Sequence, residues 1–200
     1  LAFCLPVSAG VKEGDGEYEI YPTPQSVTYG AGTAALTDKV NVKLGDDIDT
    51  YTQTRIEDTL KVLGLEKAAS GAGNTDLIVG VYGSGDEADV YGQSHNVDSS
   101  IYEKFDAYTL WVQDGDIVIL GKNTDAAYYG VTTLKRIFEQ IADQGGKSIR
   151  ELTLKDYADV EFRGFIEGYY GNPWSHEDRL DLMKFGGEIK MNQYIYAPKD

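Results

Sequence analysis

Residues 163–174 read Arg163-Gly-Phe-Ile-Glu-Gly-Tyr-Tyr-Gly-Asn-Pro-Trp174, a strand-like run that ends in glycines and aromatic side chains. Ser175 follows, with Asp178 three residues later, and this capping-box pattern predicts the first turn of a helix. A second strand-like run covers residues 191–197. Strand, glycine-rich loop, helix and strand with short links form one βαβ unit, which is the repeat of a parallel sheet or of a (β/α)8 TIM barrel.

The helix of this unit has a partly apolar face. We expect Leu180, Met183 and Phe185 to pack inward, and we expect Gly186-Gly187 to end the helix. Two parallel strands with one helix leave hydrogen-bonding edges and apolar faces uncovered, so residues 158–200 are expected to be poorly stable alone.

Before this unit, residues 17–157 interleave strand and helix patterns, which predicts an α+β domain with helices on one side of the sheet. Asp114-Gly115 lies between two apolar runs and favours a two-residue hairpin turn. Residues 83–106 lack a clear period and are predicted to form a long, acidic, solvated surface segment without the ligand pattern of a calcium loop. Strands are expected at 18–21, 40–44, 77–81, 108–113, 116–120 and 149–154, and helices at 50–65 and from Asn123 or Thr124 to about 145.

Composition narrows the classes of partner. The chain has 200 residues and a formal net charge of -15, so its field repels phosphate backbones and anionic lipids. Nucleic acid and membrane surfaces are therefore not expected as partners.

One cysteine, Cys4, cannot form an internal disulfide, and two separated histidines do not indicate a zinc site. No cofactor or metal is expected.

The first nine residues, Leu1 to Ala9, are uncharged and end in Val7-Ser8-Ala9, a pattern that a signal peptidase accepts. They are interpreted as the remnant of a secretory signal, with an ordinary apolar terminus as the alternative. No later segment reaches the roughly 18 consecutive apolar residues of a membrane span. We therefore expect a secreted, extracellular protein.

The motif at 163–174, together with Asn192-Gln-Tyr-Ile-Tyr-Ala-Pro-Lys-Asp200, resembles the opening of the catalytic barrel in glycoside hydrolase family 84. That family contains bacterial β-N-acetylglucosaminidases, some of them called hyaluronidases, and animal O-GlcNAcase. Residues 17–157 resemble, more loosely, the small domain that precedes the barrel there and in family 20 hexosaminidases. The looser likeness rests on the segments 21–25 and 129–134.

The resemblance implies a mechanism in which the N-acetyl group of the substrate attacks its own anomeric carbon and forms an oxazoline. Two adjacent aspartates assist, one orienting the acetamido group and the other serving as general acid and then base. Such a pair belongs to a later strand end, so no catalytic residue is assigned within this chain. The resemblance thus implies the N-terminal part of a β-N-acetylglucosaminidase, inactive by itself.

Three substrate-binding residues are carried over from the family. Gly168 matches a glycine whose backbone approaches the bound sugar, which the absence of a Cβ permits. Lys199 matches a lysine that donates hydrogen bonds to a sugar hydroxyl. Tyr170 matches an aromatic side chain that lines the pocket. Without the resemblance, Gly168 and Gly171 would be interpreted as turn glycines.

Other residues near the motif have structural interpretations. Glu167 is expected to pair with Arg163 rather than to act as a catalytic acid. Tyr169 and Trp174 are expected in core or interdomain packing, and His176 in solvent.

Three functions remain open at this point. The first is a secreted enzyme that acts on glycans with terminal N-acetylglucosamine, with hyaluronan-type polymers as a further candidate. The second is a noncatalytic carbohydrate-binding module formed by the α+β domain. The third is a family 20 β-hexosaminidase, which should lack the combined motifs at 163–174 and 192–200.

Overall fold

The computed structural model describes residues 17–69, 71, 73–168 and 172–197. The strands are β1 (Ser26–Ala35), β2 (Lys39–Leu44), β3 (Glu66–Lys67), β4 (Thr75–Val81), β5 (Phe105–Gln113), β6 (Asp116–Gly121), β7 (Ser148–Ala158), β8 (Gly164–Glu167) and β9 (Gln193–Tyr196). The helices are α1 (Thr50–Val62), α2 (Glu87–Ser94), α3 (Thr124–Asp143) and α4 (His176–Glu188), with a 3-10 helix at Ser99–Glu103. Among these described helices, none is both long and apolar enough to cross a membrane.

Within the described residues, one mixed sheet has the order β1-β7-β5-β6-β4-β2-β3. Its β2, β3, β4 and β6 strands pair in parallel, whereas β5, β7 and β1 add antiparallel neighbours. The predicted α+β domain is confirmed, and its sheet is mixed.

Alternate residues of the central strands face two different apolar layers. In β4, Leu77 and Val79 pack in the layer that contains α1 and α3, whereas Ile78 packs in a second layer. Ala88 and Tyr91 of α2 belong to that second layer. Helices on one side of the sheet were expected, and this prediction is wrong because α2 covers the opposite face.

The same helix corrects the prediction for residues 83–106. Asp86 begins α2 by accepting a hydrogen bond from the backbone N–H of Asp89, and Ile101 and Tyr102 of the 3-10 helix are buried. The helix has only eight residues, several of them polar, so its apolar period is too short to detect.

The hairpin and the two long helices form where the sequence predicts them. Gln113 pairs with Asp116 across the turn, where Asp114 and Gly115 have φ values of 52° and 92°. Asn123 is the residue that caps α3, and the side chains of its apolar stripe are buried. These predictions are confirmed because each rests on interactions between residues a few positions apart.

The N-terminal edge differs from expectation. Tyr18 and its neighbours form no strand; the Tyr18 N–H instead donates to the Tyr29 hydroxyl at 2.8 Å, and Arg150 N–H donates to the Tyr18 hydroxyl at 2.9 Å. The edge strand is β1, which pairs with β7 and contains an irregularity between Tyr29 and Thr33. Gly30 and Gly32 in this segment interrupt the alternation that would have predicted a strand.

The β8, α4 and β9 elements form the expected βαβ unit, with β8 and β9 parallel from Gly164↔Gln193 to Glu167↔Tyr196. Ser175 and Asp178 form the predicted capping box. The prediction that the helix ends at Gly186-Gly187 is wrong, because α4 continues to Glu188. Gly186 is buried and lies against the Phe165 ring, so its small size lets the helix approach the strand.

The predicted inward packing of α4 is also wrong. Leu180, Met183 and Phe185 are 42%, 45% and 57% exposed. Ile166 and Ile195, on the face of β8 and β9 opposite α4, are 68% and 39% exposed. Within the described chain, the second unit therefore presents uncovered apolar side chains on two faces.

Candidate functional site

The candidate site lies at the carboxyl ends of β8 and β9. Because the two strands are parallel, the residues that follow them emerge at the same edge. The N–H of Ala197 donates to the carbonyl oxygen of Glu167 at 3.0 Å, which places the start of the segment after β9 beside the start of the loop after β8. In barrel enzymes, this edge is where binding and catalytic residues collect.

Of the three sequence-predicted binding residues, the structure describes Gly168. It is exposed, its φ lies outside the left-handed region, and a Cβ built on it meets no atom within 4 Å. Neither a turn with positive φ nor close packing within the described chain therefore requires glycine at this position. Tyr170 and Lys199 lie outside the described residues, and their roles stay predictions.

Glu167 is a buried, paired carboxylate at this edge. Its side chain is 2% exposed, and its partner is Arg179 of α4, which donates from Nε to Oε2 at 2.7 Å and from Nη2 to Oε1 at 2.8 Å. The predicted pairing with Arg163 is wrong. Arg179 could not be recognised from sequence, because it lies 12 positions away and reaches Glu167 only once α4 packs on β8.

The Tyr194 hydroxyl of β9 donates to the same carboxylate. The Arg179 guanidinium, followed by the Tyr194 hydroxyl, lowers the pKa of Glu167 from 4.5 to about 2. Burial and the Glu167 carboxylate raise the pKa of Tyr194, and the Glu167 carboxylate raises that of Arg179. Glu167 is therefore ionised at neutral pH and does not serve as a proton donor there.

Arg163 instead connects the βαβ unit to the larger sheet. Its Nη2 donates to Asp106 Oδ2 at 2.6 Å, and its guanidinium lies 5.7 Å from the centroid of the Tyr129 ring. Lys190, just after α4, contacts Asp156 of β7 in the same junction. At the end of α4, Glu188 accepts hydrogen bonds from Arg55 and Lys135. Charged pairs at three places thus hold the βαβ unit against the sheet and its helices.

The remaining predictions near the motif have mixed outcomes. Trp174 is 48% exposed, so its expected burial in core or interdomain packing is wrong. His176 is exposed, as predicted. Tyr169 and Gly171 lie outside the described residues. Among the residues that the structure describes, no group of three or more His, Cys, Asp or Glu side chains could hold a metal ion.

Comparisons with known proteins match both parts of this chain. A family model described as beta-N-acetylglucosaminidase matches residues 163–200, and one described as glycosyl hydrolase family 20, domain 2 matches residues 17–157. The solved structure of CpGH84D is 45% identical and superposes with a TM-score of 0.86 over 94% of this chain. The chain is a family 84-like fragment. Its residues 17–157 form the domain named for family 20.

Two further relatives show how the likeness is distributed along the chain. CpGH84B is 32% identical, with a TM-score of 0.75 over 92% of this chain. The protein O-GlcNAcase of Rattus norvegicus is 46% identical over 37 residues, which are 18% of this chain and 4% of that protein. This chain spans 31% of CpGH84D and 30% of CpGH84B, so it corresponds to less than a third of either structure.

Proposed function

We propose that this chain is the N-terminal part of a secreted β-N-acetylglucosaminidase that removes terminal N-acetylglucosamine from glycans, with hyaluronan-type polymers as a further substrate class. The similarity to family 84 structures and the match to the beta-N-acetylglucosaminidase model support the hydrolase class. The observation that carries the proposal is the parallel β8–β9 pair, which brings Gly168 and the end of β9 to one edge inside the segment that matches the β-N-acetylglucosaminidase model.

In this proposal, residues 158–200 are the first βαβ unit of a TIM barrel. The exposed side chains support this assignment, because Ile166 and Ile195 point away from α4 and would fill the interior of a closed barrel. Leu180, Met183 and Phe185 would then lie against neighbouring helices of the outer ring. An isolated pair of strands leaves all of these apolar surfaces in water, which costs free energy.

The proposed reaction uses the substrate as its own nucleophile. The carbonyl oxygen of the N-acetyl group bonds to the anomeric carbon as the glycosidic bond breaks, and water then opens the oxazoline with retention of configuration. The proposal requires an adjacent pair of aspartates in chain that follows Asp200. One aspartate orients the acetamido group. The other donates a proton to the leaving oxygen and then accepts a proton from the attacking water. In this proposal Gly168, Tyr170 and Lys199 bind the sugar and take no part in the proton transfer. Gly168 offers its backbone, Tyr170 its ring and Lys199 its ammonium group.

The decisive experiment compares the purified 200-residue chain with a version extended by the coding sequence that follows residue 200. With a chromogenic N-acetylglucosaminide, the extended version should release the chromophore and the short chain should not. Changing Gly168 to Ala in the extended version should raise KM, because the added Cβ lies where the sugar approaches. Turnover by the short chain, or an extended protein without an Asp-Asp pair at a later strand end, would contradict the proposal.

Secretion is proposed from residues 1–9, which lie outside the described residues. Expression with a complete leader should yield a culture-supernatant protein whose N-terminal sequence begins at Gly10. Retention in the cells with residues 1–9 intact would contradict this part of the proposal.

A further inference from the structure

A pocket of about 370 Å³ lies on the face of the larger sheet that α2 covers. Its lining residues all belong to the segment between β4 and β5. They include Tyr82, Asp89, Gln93, Asn96 and Ser99. Ligand pockets in proteins combine apolar surface with a few polar groups in fixed positions, and this pocket contains both.

Asp89 of α2 contributes a buried carboxylate to this pocket, and the residue is 1% exposed. Its Oδ2 accepts hydrogen bonds from the Gly85 N–H at 2.9 Å and from Gln93 Nε2 at 3.2 Å. Its Oδ1 is also buried but has no hydrogen-bond partner within the described chain. Leaving a buried acceptor unpaired is costly, and most such atoms in folded proteins have a partner. A hydrogen-bond donor that enters the pocket would satisfy this oxygen.

The Tyr82 ring provides a rigid apolar surface in the same pocket. It lies parallel to the Tyr102 ring, with 4.2 Å between the ring centroids and 1° between the planes. Tyr102 is 5% exposed, and its hydroxyl lies 3.0 Å from the Thr109 hydroxyl and donates to the Leu120 carbonyl at 3.3 Å. The buried Tyr102 thus fixes the orientation of Tyr82, which is itself only partly buried. A side chain fixed in this way loses little conformational freedom when a ligand stacks on it.

The other polar side chains of the pocket are neutral. Gln93, Asn96 and Ser99 are exposed, and each carries groups that both donate and accept hydrogen bonds. Asp89 is the one charged residue among the described residues that line the pocket. A calcium ion requires six to eight oxygen ligands, several of them carboxylates, so one carboxylate does not favour a metal ion. The lining instead favours a neutral ligand that carries hydroxyl groups.

A sugar ring has both properties that the pocket selects. A pyranose presents C–H groups on its faces and hydroxyl groups at its edge, so it can stack on an aromatic ring while it donates to a carboxylate. We propose that this pocket binds a pyranose unit of a glycan, with one sugar face on the Tyr82 ring and a sugar hydroxyl donating to Asp89 Oδ1. Gln93, Asn96 and Ser99 bind further hydroxyl groups at the rim. This site does not require hydrolase activity, because the chemistry of the pocket itself selects the sugar.

The test titrates the 200-residue chain with the β-1,4-linked trimer of N-acetylglucosamine and follows backbone amide chemical shifts by NMR. The amides of Gly83 and Asn96 should shift saturably in the wild type. Tyr82→Ala should raise the Kd by roughly tenfold, because the stacking surface is lost. Asp89→Asn should raise the Kd by roughly fivefold, because a neutral acceptor replaces the anion. The control Tyr51→Ala removes a 77% exposed ring from α1 and should leave the Kd unchanged.

Four outcomes would overturn the glycan site. They are the absence of a saturable shift at these amides, wild-type affinity in Tyr82→Ala, the same shifts with calcium ions alone, and shifts confined to Gly168 and its neighbours. If Tyr82→Ala does not fold, Gln93→Ala, which changes an exposed residue of the rim, should raise the Kd by roughly threefold. An unchanged Kd in Gln93→Ala would then overturn the site.

The chromogenic assay of the extended protein separates this site from the proposed function. Glycan binding by the 200-residue chain together with an inactive extended protein would refute the proposed function and leave the glycan site supported. Hydrolysis by the extended protein without glycan binding by the 200-residue chain would refute the glycan site and leave the proposed function supported.

Discussion

The Nζ of Lys190 lies 2.8 Å from Oδ2 of Asp156 and 2.8 Å from the hydroxyl of Tyr108, so an ammonium group of the βαβ unit is buried against the larger sheet. Lys190 is 6% exposed and adopts a φ of 59°, a left-handed conformation that non-glycine residues rarely adopt. Burial lowers the pKa of Lys190, and the Asp156 carboxylate opposes that shift. The junction between the two sheets therefore depends on a compensated buried charge.

Replacing Lys190 with Met should destabilise the chain by about 3 to 5 kcal/mol, because Asp156 is left buried without its counter-charge. Urea unfolding at neutral pH measures the change. Lys61→Met removes an exposed ion pair with Asp58 and should change stability by less than about 0.5 kcal/mol. Equal effects of the two substitutions would show that burial of Lys190 has no energetic consequence.

Two glycines at opposite ends of β8 should respond differently to alanine. A Cβ at Gly164 would lie 1.7 Å from the backbone oxygen of Gln193, so Gly164→Ala must push β8 and β9 apart. We expect the free energy of unfolding, measured by thermal unfolding, to fall by about 1 to 3 kcal/mol, which is the usual effect of overpacking. Gly168→Ala meets open space and should change stability by less than about 0.5 kcal/mol. A stable Gly164→Ala protein with intact strand pairing would contradict the observed register.

The fall in the free energy of unfolding at low pH should depend on Glu167. Its pKa is about 2 in the folded chain and 4.5 when unperturbed, so the unfolded state binds the proton more readily. The stabilisation is fully present above pH 4.5 and is lost as the pH falls toward 2. In urea unfolding at several pH values, the wild type should therefore have a larger free energy of unfolding than Glu167→Gln. This difference should shrink below pH 4.5. Glu161→Gln should track the wild type, and a pH-independent gap between wild type and Glu167→Gln would exclude this linkage.

The first turn of α3 depends on Asn123, whose side chain accepts a hydrogen bond from the Ala126 N–H at 2.9 Å. Asn123→Ala should lower the free energy of unfolding by about 1 kcal/mol, because that N–H loses its partner. Asn123→Ser retains an acceptor and should recover most of the loss. Denaturant midpoints for the three proteins make the comparison, and an Ala variant as stable as the Ser variant would refute the capping role.

Much of the fold was predictable because its signals are local. The Asp114-Gly115 turn supplies the positive φ angles that a tight hairpin needs, and Asn123 and Ser175 supply side-chain oxygens at helix starts. The apolar stripe of α3 has a period that matches its buried face. Each of these features requires only residues within a few positions of one another, so the amino-acid order alone determines them.

The sequence motif also predicted the parallel pair of β8 and β9, whose carboxyl ends lie at one edge. The pairing of Glu167 with Arg179, by contrast, arises only when α4 packs on β8 and removes the carboxylate from water. The same holds for α2, whose face is set by the strands beneath it, and for Lys190, which is charged and buried only because Asp156 lies opposite. Tertiary structure decided these features, since burial and long-range proximity select the partner of a charged group, and sequence spacing does not contain either quantity.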